Sequence, residues 1–291
     1  MKAFITGING FTGRHLAKLL RAHQVTVFGF GGDLKDKLSV FTAVSRVKPG
    51  WIFHLASPIL RSDQLLDHDL AANLEVDLFG TVYLLEAAAA LSHKPKILIS
   101  GSNAEYAPSA RPLKETDKLM PLTGYGLSKL TQEMVSLQLA KSYALPLIMT
   151  RTFHLIGPGQ RPGFVVTDLA KAIAEGAKEI TLGNPNIRRD FTDVRDAVRA
   201  YYLLMKQGKP GKTYNVCSGK AVSIGQIAAR LAVLAGVKLK IKSRHVWRQN
   251  DPNIIVGNNA KLLKTTSWQP RINLTQSLTD TLNYWIKECR K

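Results

Sequence analysis

Tyr125 and Lys129 lie four residues apart in the run Tyr125-Gly126-Leu127-Ser128-Lys129, a spacing that sets a phenol and an ammonium on one face of a helix. A free tyrosine ionises near pH 10 and is a poor acid–base catalyst at neutrality. A cation within about 4–6 Å favours the phenolate and lowers that value by roughly 1–3 pH units, so the pairing predicts a depressed Tyr125. Such a phenol can exchange a proton with a carbonyl or alcohol oxygen while hydride moves to or from the attached carbon. Ser102 ends the run Ile97-Leu98-Ile99-Ser100-Gly101-Ser102, a strand opening into a small polar loop. The crevice at the carboxyl ends of such strands is where α/β proteins bind ligands. There the Ser102 hydroxyl can hydrogen-bond the same substrate oxygen as charge develops on it. Ser100, inside the strand, reads as structural.

A second constellation sits at the start of the chain. Thr6-Gly7-Ile8-Asn9-Gly10-Phe11-Thr12-Gly13 carries glycines at spacing three and three, directly after a strand and opening a helix. Gly7 takes the tight turn, Gly10 lets backbone approach a pyrophosphate, and Gly13 lets the helix pack close to the sheet. The phosphate then lies at the helix N-terminus, where free N–H groups and the macrodipole favour negative charge. The implied cofactor is NADP(H) or NAD(H). An acidic residue ending the second strand would select NAD through the ribose hydroxyls, but that position falls at Gly29 or Phe30, with no carboxylate before Asp33. Arg14 could instead reach a 2′-phosphate, which tilts the expectation toward NADP, and Asp33-Leu34 is expected at the adenine end.

These motifs need a scaffold, and the chain supplies one. Its 291 residues, 45% hydrophobic and 21% charged, suit a globular protein with a proper buried core. The most apolar long stretch, Val82 to Leu91, is broken by Glu86 and is too short to span a bilayer. No signal-peptide pattern precedes the first strand, so the expectation is cytoplasmic. Cys217 and Cys289 fit neither a disulfide framework nor a metal site. The net charge of +19 is uneven: +5 over residues 1–153 and +14 over the remainder. A basic second half suits an anionic partner, either a diphosphate-bearing small molecule or a nucleic acid, unless the lysines merely solvate the surface.

Strand-like runs at Lys2–Thr6, Val25–Phe30, Trp51–Leu55, Lys96–Gly101 and Leu147–Thr152 alternate with helical runs near Thr12–Ala22, Leu34–Val47, Gln64–Ala90 and Thr123–Tyr143. That alternation predicts an α/β fold, a doubly wound Rossmann-like parallel sheet. One strand is expected to be abbreviated before Trp51. The dinucleotide-binding domain is assigned to residues 1–153, rejoined by about 189–217. A smaller mixed α/β substrate-binding region takes 154–188 and 218–291. Val237–Arg244 alternates strictly, with Lys238, Lys240, Lys242 and Arg244 on one face. A charged edge strand is favoured there over a phosphate-facing surface.

The glycine loop, Ser102 and the Tyr125/Lys129 pair together resemble the extended short-chain dehydrogenase/reductase superfamily. Within it, Arg151-Thr152-Phe153, Ile156-Gly157-Pro158-Gly159-Gln160, Gly163-Phe164-Val165, Arg189-Asp190-Phe191-Thr192-Asp193-Val194-Arg195-Asp196 and Tyr214-Asn215-Val216-Cys217-Ser218-Gly219 are most similar to the GDP-4-keto-6-deoxy-D-mannose reductases. The resemblance implies reduction of the C4 ketone of a nucleotide-linked 4-keto-6-deoxyhexose, giving GDP-D-rhamnose in that family. It also implies that Tyr125, Lys129 and Ser102 are catalytic. Asn9, Phe11, Thr12, Leu55 and Ala56 would line the cofactor beside the three glycines. Asn103, His154, Phe164 and Val165 would meet the substrate. Arg248 and Arg189 would grip the diphosphate, a task suited to a guanidinium fork, and Asp251 the nucleoside ribose. A homodimer is implied as well, through the Thr123–Tyr143 helix and its apolar Leu127, Leu130, Met134 and Leu137, which core packing would explain equally.

Three positions depart from that pattern. Ala104 replaces the glutamate that sugar-nucleotide 4,6-dehydratases use for water elimination, which argues for reduction or epimerisation. His154 stands where an asparagine usually holds substrate phosphate, and Asp77 where an asparagine is expected before Gly80-Thr81. A nucleotide-sugar 4-epimerase is the rival within catalysis. A nucleic-acid-binding relative is the rival of another class, supported only by charge and without an RNA-reading or helix-turn-helix motif.

Overall fold

The computed structural model describes residues 1–58, 70–244 and 252–290. In chain order, β1 (Lys2–Thr6), α1 (Phe11–Ala22), β2 (Thr26–Gly29), α2 (Lys37–Val47) and β3 (Trp51–His54) come first. After residues 59–69, α3 (Leu70–Leu74) runs through a π-helical turn, Glu75–Phe79, into α4 (Gly80–Ala89). Then follow β4 (Lys96–Ser102), α5 (Gly124–Ser142), β5 (Leu147–Thr152), β6 (His154–Ile156), α6 (Val165–Ala174), β7 (Glu179–Leu182), β8 (Arg188–Asp193), α7 (Val194–Gln207) and β9 (Lys212–Val216). The chain closes with β10 (Ala221–Ser223), α8 (Ile224–Ala235), β11 (Lys240–Ser243), β12 (Ile254–Ile255), α9 (Ala260–Thr266) and α10 (Leu274–Glu288).

The main sheet is parallel throughout, in the order β2-β1-β3-β4-β5-β9. Its central strands are buried on both faces, as Trp51-Ile52-Phe53-His54 is along its whole length, which is why they read as unbroken apolar runs. One core packs α1 and α7 against the sheet through Leu16, Leu20, Val198, Tyr201 and Leu204. The other packs α2, α4 and α5 through Val40, Val44, Leu84, Leu85 and Ala140. Each fully buried aliphatic side chain contributes roughly 1.5–3 kcal/mol. This is the doubly wound fold that the strand–helix alternation predicted.

The abbreviated strand is absent from the described sheet: α2 leads straight back to β3, so β2 is the outer edge. A cleft of about 670 Å³ runs along it, lined by Phe28, Phe30, Ser39 and Arg46 among others. Beyond the main sheet, β8 pairs with β10, β12 and β6, and a third core joins α6, α8 and α10. Among the described residues β11 pairs with β7 alone, and Lys240 and Lys242 lie 3.7 and 2.6 Å from Glu179. Exposed lysines on a two-stranded ribbon, answered by a carboxylate of the neighbouring strand, make a charged edge rather than a phosphate face. Among the described residues no helix is long and apolar enough to cross a membrane.

Candidate active site

The glycine loop has a shape that only small residues permit. Gly7 adopts φ +72°, and a Cβ there would lie 2.8 Å from the Ala56 amide nitrogen. At Gly13 a Cβ would stand 2.1 Å from the Gly7 carbonyl and 2.7 Å from the Ile8 Cα. Helix α1 is therefore pressed against the loop. Its N-cap is Gly10, with no side chain capping it, so its first turn presents backbone donors as a phosphate cradle does. The residues fit a dinucleotide. Phe11 and Thr12 are the first residues of α1, Leu55 and Ala56 follow β3 across from Gly7, and Asn9 is exposed beside them. Arg14 donates to the Gly159 carbonyl at 2.8 Å, and His15 meets the Pro158 carbonyl at 3.0 Å, so this helix end is tied to the 157–160 turn. Asp33 caps its own turn by accepting from the Lys35 amide at 2.9 Å, and Leu34 is buried.

Ser102 is the last residue of β4 and caps the short 3₁₀ turn Asn103–Glu105. Its hydroxyl accepts from the Ala104 amide at 3.1 Å, and its own amide donates to Glu105 Oε1 at 2.6 Å. Behind it, Arg151 Nη2 lies 2.6 Å from Glu133 and its Nε 3.4 Å from Glu105, all three side chains at most 5% exposed. Two carboxylates thus share one guanidinium. Burial, with Glu133 beside it, pushes Glu105 well above the usual carboxylate range. The turn beneath Ser102 is consequently fixed from below.

Tyr125 and Lys129 sit one turn apart at the start of α5, which Thr123 caps by accepting from the Gly126 amide at 3.1 Å. The Tyr125 hydroxyl is hydrogen-bonded to Ser102, and Lys129 Nζ lies 6.0 Å from the Tyr125 ring centre. The three residues named from sequence therefore converge, at the carboxyl end of the sheet. The sign of the Tyr125 effect, however, is corrected. Burial pushes the phenol up, and Asp77 and Glu105 act in the same direction, while Lys129 and Ser102 oppose them without prevailing. Burial of the phenol is the largest influence, and Lys129 is itself paired. Its ammonium donates to Asp77 Oδ1 at 2.9 Å and to Gln132 Oε1 at 3.1 Å, with Lys129 2% and Asp77 0% exposed. Although burial works against its charge, Asp77 holds the ammonium above its ordinary range.

A wider network fixes that pair. Ser128 donates to the other Asp77 oxygen at 3.0 Å. Thr81 gives its single proton to the Asp77 backbone carbonyl, so its oxygen can only accept from Gln132 Nε2 and from His54 Nε2, each at 2.8 Å. His54 is thereby set as the Nε2–H tautomer, and its Nδ1 takes the Thr6 hydroxyl proton at 2.6 Å. Thr6 in turn accepts from the Ala56 amide at 3.3 Å. Burial pushes His54 down to about 3, so it stays neutral. The π-helical turn that bears Asp77 inward is a kind of distortion frequent at functional sites. Sequence spacing does not single out Asp77, Thr81, His54 or Gln132 as one group. Gln132 shares the face of Lys129, but the others come from separate elements.

The remaining expected contacts form a second cluster. β6 and β8 set His154 opposite Phe191 in register, and Arg189, 6% exposed, donates to the Arg188 and Pro252 carbonyls at 2.9 and 2.8 Å. Burial, and then Arg189, lower the His154 imidazole to about 3. Phe164 and Val165 stand exposed at the start of α6, and Asn103 opens the turn after Ser102. Arg248 and Asp251 lie outside the described residues. Cys217 and Cys289 are free, and no metal-binding cluster occurs among the described residues.

Comparison with known proteins settles the family. The model of the NAD dependent epimerase/dehydratase family matches residues 3–217. The chain belongs to that family. Within it, the chain is 32% identical to a GDP-6-deoxy-D-mannose reductase of Pseudomonas aeruginosa, over 100% of this chain and 99% of that one. It is 27% identical to a GDP-6-deoxy-D-talose 4-dehydrogenase of Aggregatibacter actinomycetemcomitans, over 97% of both. Among solved structures, RMD from Pseudomonas aeruginosa complexed with NADPH superposes with a TM-score of 0.91 at 30% identity, covering 99% of each chain. The family is NAD(P)-dependent, as the glycine loop required, and the resemblance to extended short-chain dehydrogenase/reductases holds over the whole chain.

Proposed function

We propose that this protein reduces the C4 ketone of a nucleotide-linked 4-keto-6-deoxyhexose, with GDP-4-keto-6-deoxy-D-mannose as substrate and GDP-D-rhamnose as product. The observation that carries the reading is the meeting of Tyr125 and Lys129, one turn apart on α5, with Ser102 at the carboxyl end of β4, the ammonium being buried. A carbonyl that receives hydride must also receive a proton, and a phenol held above its ordinary ionisation is a proton donor throughout the neutral range. The full-length similarity to a GDP-6-deoxy-D-mannose reductase supports the substrate class. Ala104, in place of a carboxylate, supports reduction over dehydration.

Gly7, Gly10 and Gly13 with the first turn of α1 would hold NADPH or NADH, which would supply hydride for C4. Tyr125 gives its hydroxyl proton to the C4 oxygen, and the resulting phenolate regains a proton from solvent. Ser102, with its turn braced by Glu105, steers the carbonyl through its hydroxyl. Lys129 has two of its three N–H groups committed to Asp77 and Gln132 and offers the third to the nicotinamide ribose. His154 and Arg189 would meet the sugar and diphosphate, and the family resemblance assigns Arg248 to the diphosphate and Asp251 to the nucleoside ribose. Phe79, Leu127 and Met134, 50%, 43% and 63% exposed, give an apolar face around α5. We read it as a homodimer interface, which sedimentation would report as twice the chain mass. A cytoplasmic setting agrees with two free cysteines.

The direct test incubates the protein with GDP-4-keto-6-deoxy-D-mannose and NADPH or NADH and follows loss of nicotinamide absorbance. The Tyr125→Phe variant should fall by about 10²–10⁴-fold in kcat. Absence of turnover with 4-keto sugar nucleotides, or an unimpaired Tyr125→Phe variant, would refute the reading. Tightly retained NAD with sugar inversion and no net oxidation would replace it with a 4-epimerase.

A further inference from the structure

The parallel sheet has two ends, and the candidate site uses only one of them. Gly7 follows β1 and Ser102 ends β4, whereas all six strands enter the sheet at the opposite pole. That pole is made of Lys2 and the segments 21–25, 46–50, 90–96, 141–146 and 206–212, which together hold eight lysines, two arginines and no carboxylate. It carries +10 of the chain's +19. The connections are tied to one another across the sheet. Lys2 Nζ donates to the Val47 carbonyl at 3.2 Å, His93 Nε2 to the Pro49 carbonyl at 3.0 Å and Lys96 Nζ to the Gly208 carbonyl at 3.0 Å. Those acceptors are neutral and cancel no charge. All ten cations but Lys96 are exposed. Elsewhere exposed lysines meet carboxylates, as Lys37 meets Glu86 at 2.7 Å and Lys242 meets Glu179 at 2.6 Å; among the described residues none of these ten does. Arg21, Arg46, Lys141 and Lys206 stand in the last turns of α1, α2, α5 and α7, where a cation answers the partial negative charge of a helix end. That local task explains four of the cations but not the exclusion of every carboxylate from the loops between them.

We propose that this pole is a membrane-docking face, which adsorbs the protein to an anionic bilayer while the site at the other end of the sheet stays open to water. Attraction to a plane of anionic headgroups grows with each cation brought near it, so it favours many cations spread over two dimensions. Six strands about 4.8 Å apart spread these across about 25 Å. Charge complementarity selects a lipid surface over a strand of nucleic acid on two counts. Eight of the ten cations are lysines, point charges without the guanidinium fork that fixes an individual phosphate. The Phe28 and Tyr202 rings at this end already carry partners, Lys2 over the first and His23 with Lys206 over the second, whereas a base needs an open ring to stack on.

The test is flotation of the full-length protein with vesicles of phosphatidylcholine alone and of phosphatidylcholine containing about one-third phosphatidylglycerol. The protein should float with the anionic vesicles at about 50 mM salt, lose most of that association at about 500 mM, and leave the neutral vesicles unbound. Lys48→Glu/Lys94→Glu/Lys209→Glu reverses three exposed charges at the pole, and Lys178→Glu/Lys220→Glu/Lys238→Glu reverses three exposed charges elsewhere for the same net charge. A lysine beside an anionic surface is worth about fivefold in partition, so the first variant should bind at least about tenfold more weakly and the second within about threefold of the parent. Acetylation of the parent's lysines, read by mass spectrometry, serves where a variant does not fold: anionic vesicles should protect Lys48, Lys94 and Lys209 and leave Lys178, Lys220 and Lys238 reactive. Equal losses in the two variants, equal protection of the two sets, or a parent that does not float with anionic vesicles overturns the proposal. Tighter binding of poly(U) RNA than of those vesicles, at equal phosphate concentration, assigns the face to nucleic acid and overturns it as well.

Discussion

Replacing Lys129 by Met should be among the most damaging single changes in the chain for stability alone, before any question of turnover. The ammonium and the Asp77 carboxylate face each other at 2.9 Å with 2% and 0% of their side-chain surfaces exposed. Met fills most of the volume, so the cost is electrostatic. It strands a buried carboxylate whose remaining side-chain donor is Ser128. Removing one partner of such a pair costs about 3–5 kcal/mol, because the survivor has lost both water and its counter-charge. Adding Asp77→Asn removes that stranded charge and leaves an amide that still bonds Ser128. The double variant should therefore lie only about 1–2 kcal/mol below the parent, about 2–3 kcal/mol better than Lys129→Met alone, and the coupling between the two sites exceeds that difference by whatever Asp77→Asn costs by itself. Urea denaturation followed by tryptophan fluorescence at pH 7.5 reads this directly, provided the slopes agree between variants. A Lys129→Met loss below about 1 kcal/mol, or two losses that simply add, would refute the view of the pair as a mutually dependent unit.

Two further outcomes follow from the same site. Gly13→Ala should abolish the rise in melting temperature that NADPH confers and should cost about 1–3 kcal/mol by overpacking; the new Cβ meets backbone atoms of Gly7 and Ile8, which cannot swing aside. His54, held neutral in the folded protein to about pH 3, binds a proton in the unfolded chain below about 6.5. Its share of stability is thus complete above pH 6.5 and is lost as pH falls below it, at up to about 1.4 kcal/mol per pH unit. Denaturation at pH 7.5 and 5.5 should show that loss, and His54→Gln should flatten it; an unchanged slope would remove His54 from the network.

What could be read from sequence had short range. The glycine loop and the Tyr125/Lys129 pair each lie within one turn or one loop, so spacing alone implied their geometry, and the lysine alternation around Lys240 gave its edge strand. The short route to Trp51 suggested an abbreviated strand there, where the described sheet has none and β2 is the edge. Long-range pairing was not legible. The sequence displayed the cation beside Tyr125 but not the anion, 52 residues earlier, that turns inward on a π-helical turn to meet it. Burial of the phenol first, and then that anion, reversed the expected direction. Glu105, Glu133 and Arg151 were not legible as one group for the same reason, since the 3₁₀ turn after β4, α5 and β5 supply one each.

The hydrogen-bonded series from Ala56 through Thr6, His54 and Thr81 has every proton assigned in one sense, and it passes through the residue just before Gly7. Exchanging the nucleotide loop for one from a relative, a common route to altered coenzyme preference, would thus disturb more than the loop. An incoming residue 6 without a hydroxyl leaves the imidazole lone pair unanswered and frees the ring to adopt its other tautomer, and Thr81 must then turn away from Asp77. A successful graft has to carry residues 6, 54, 81 and 132 together.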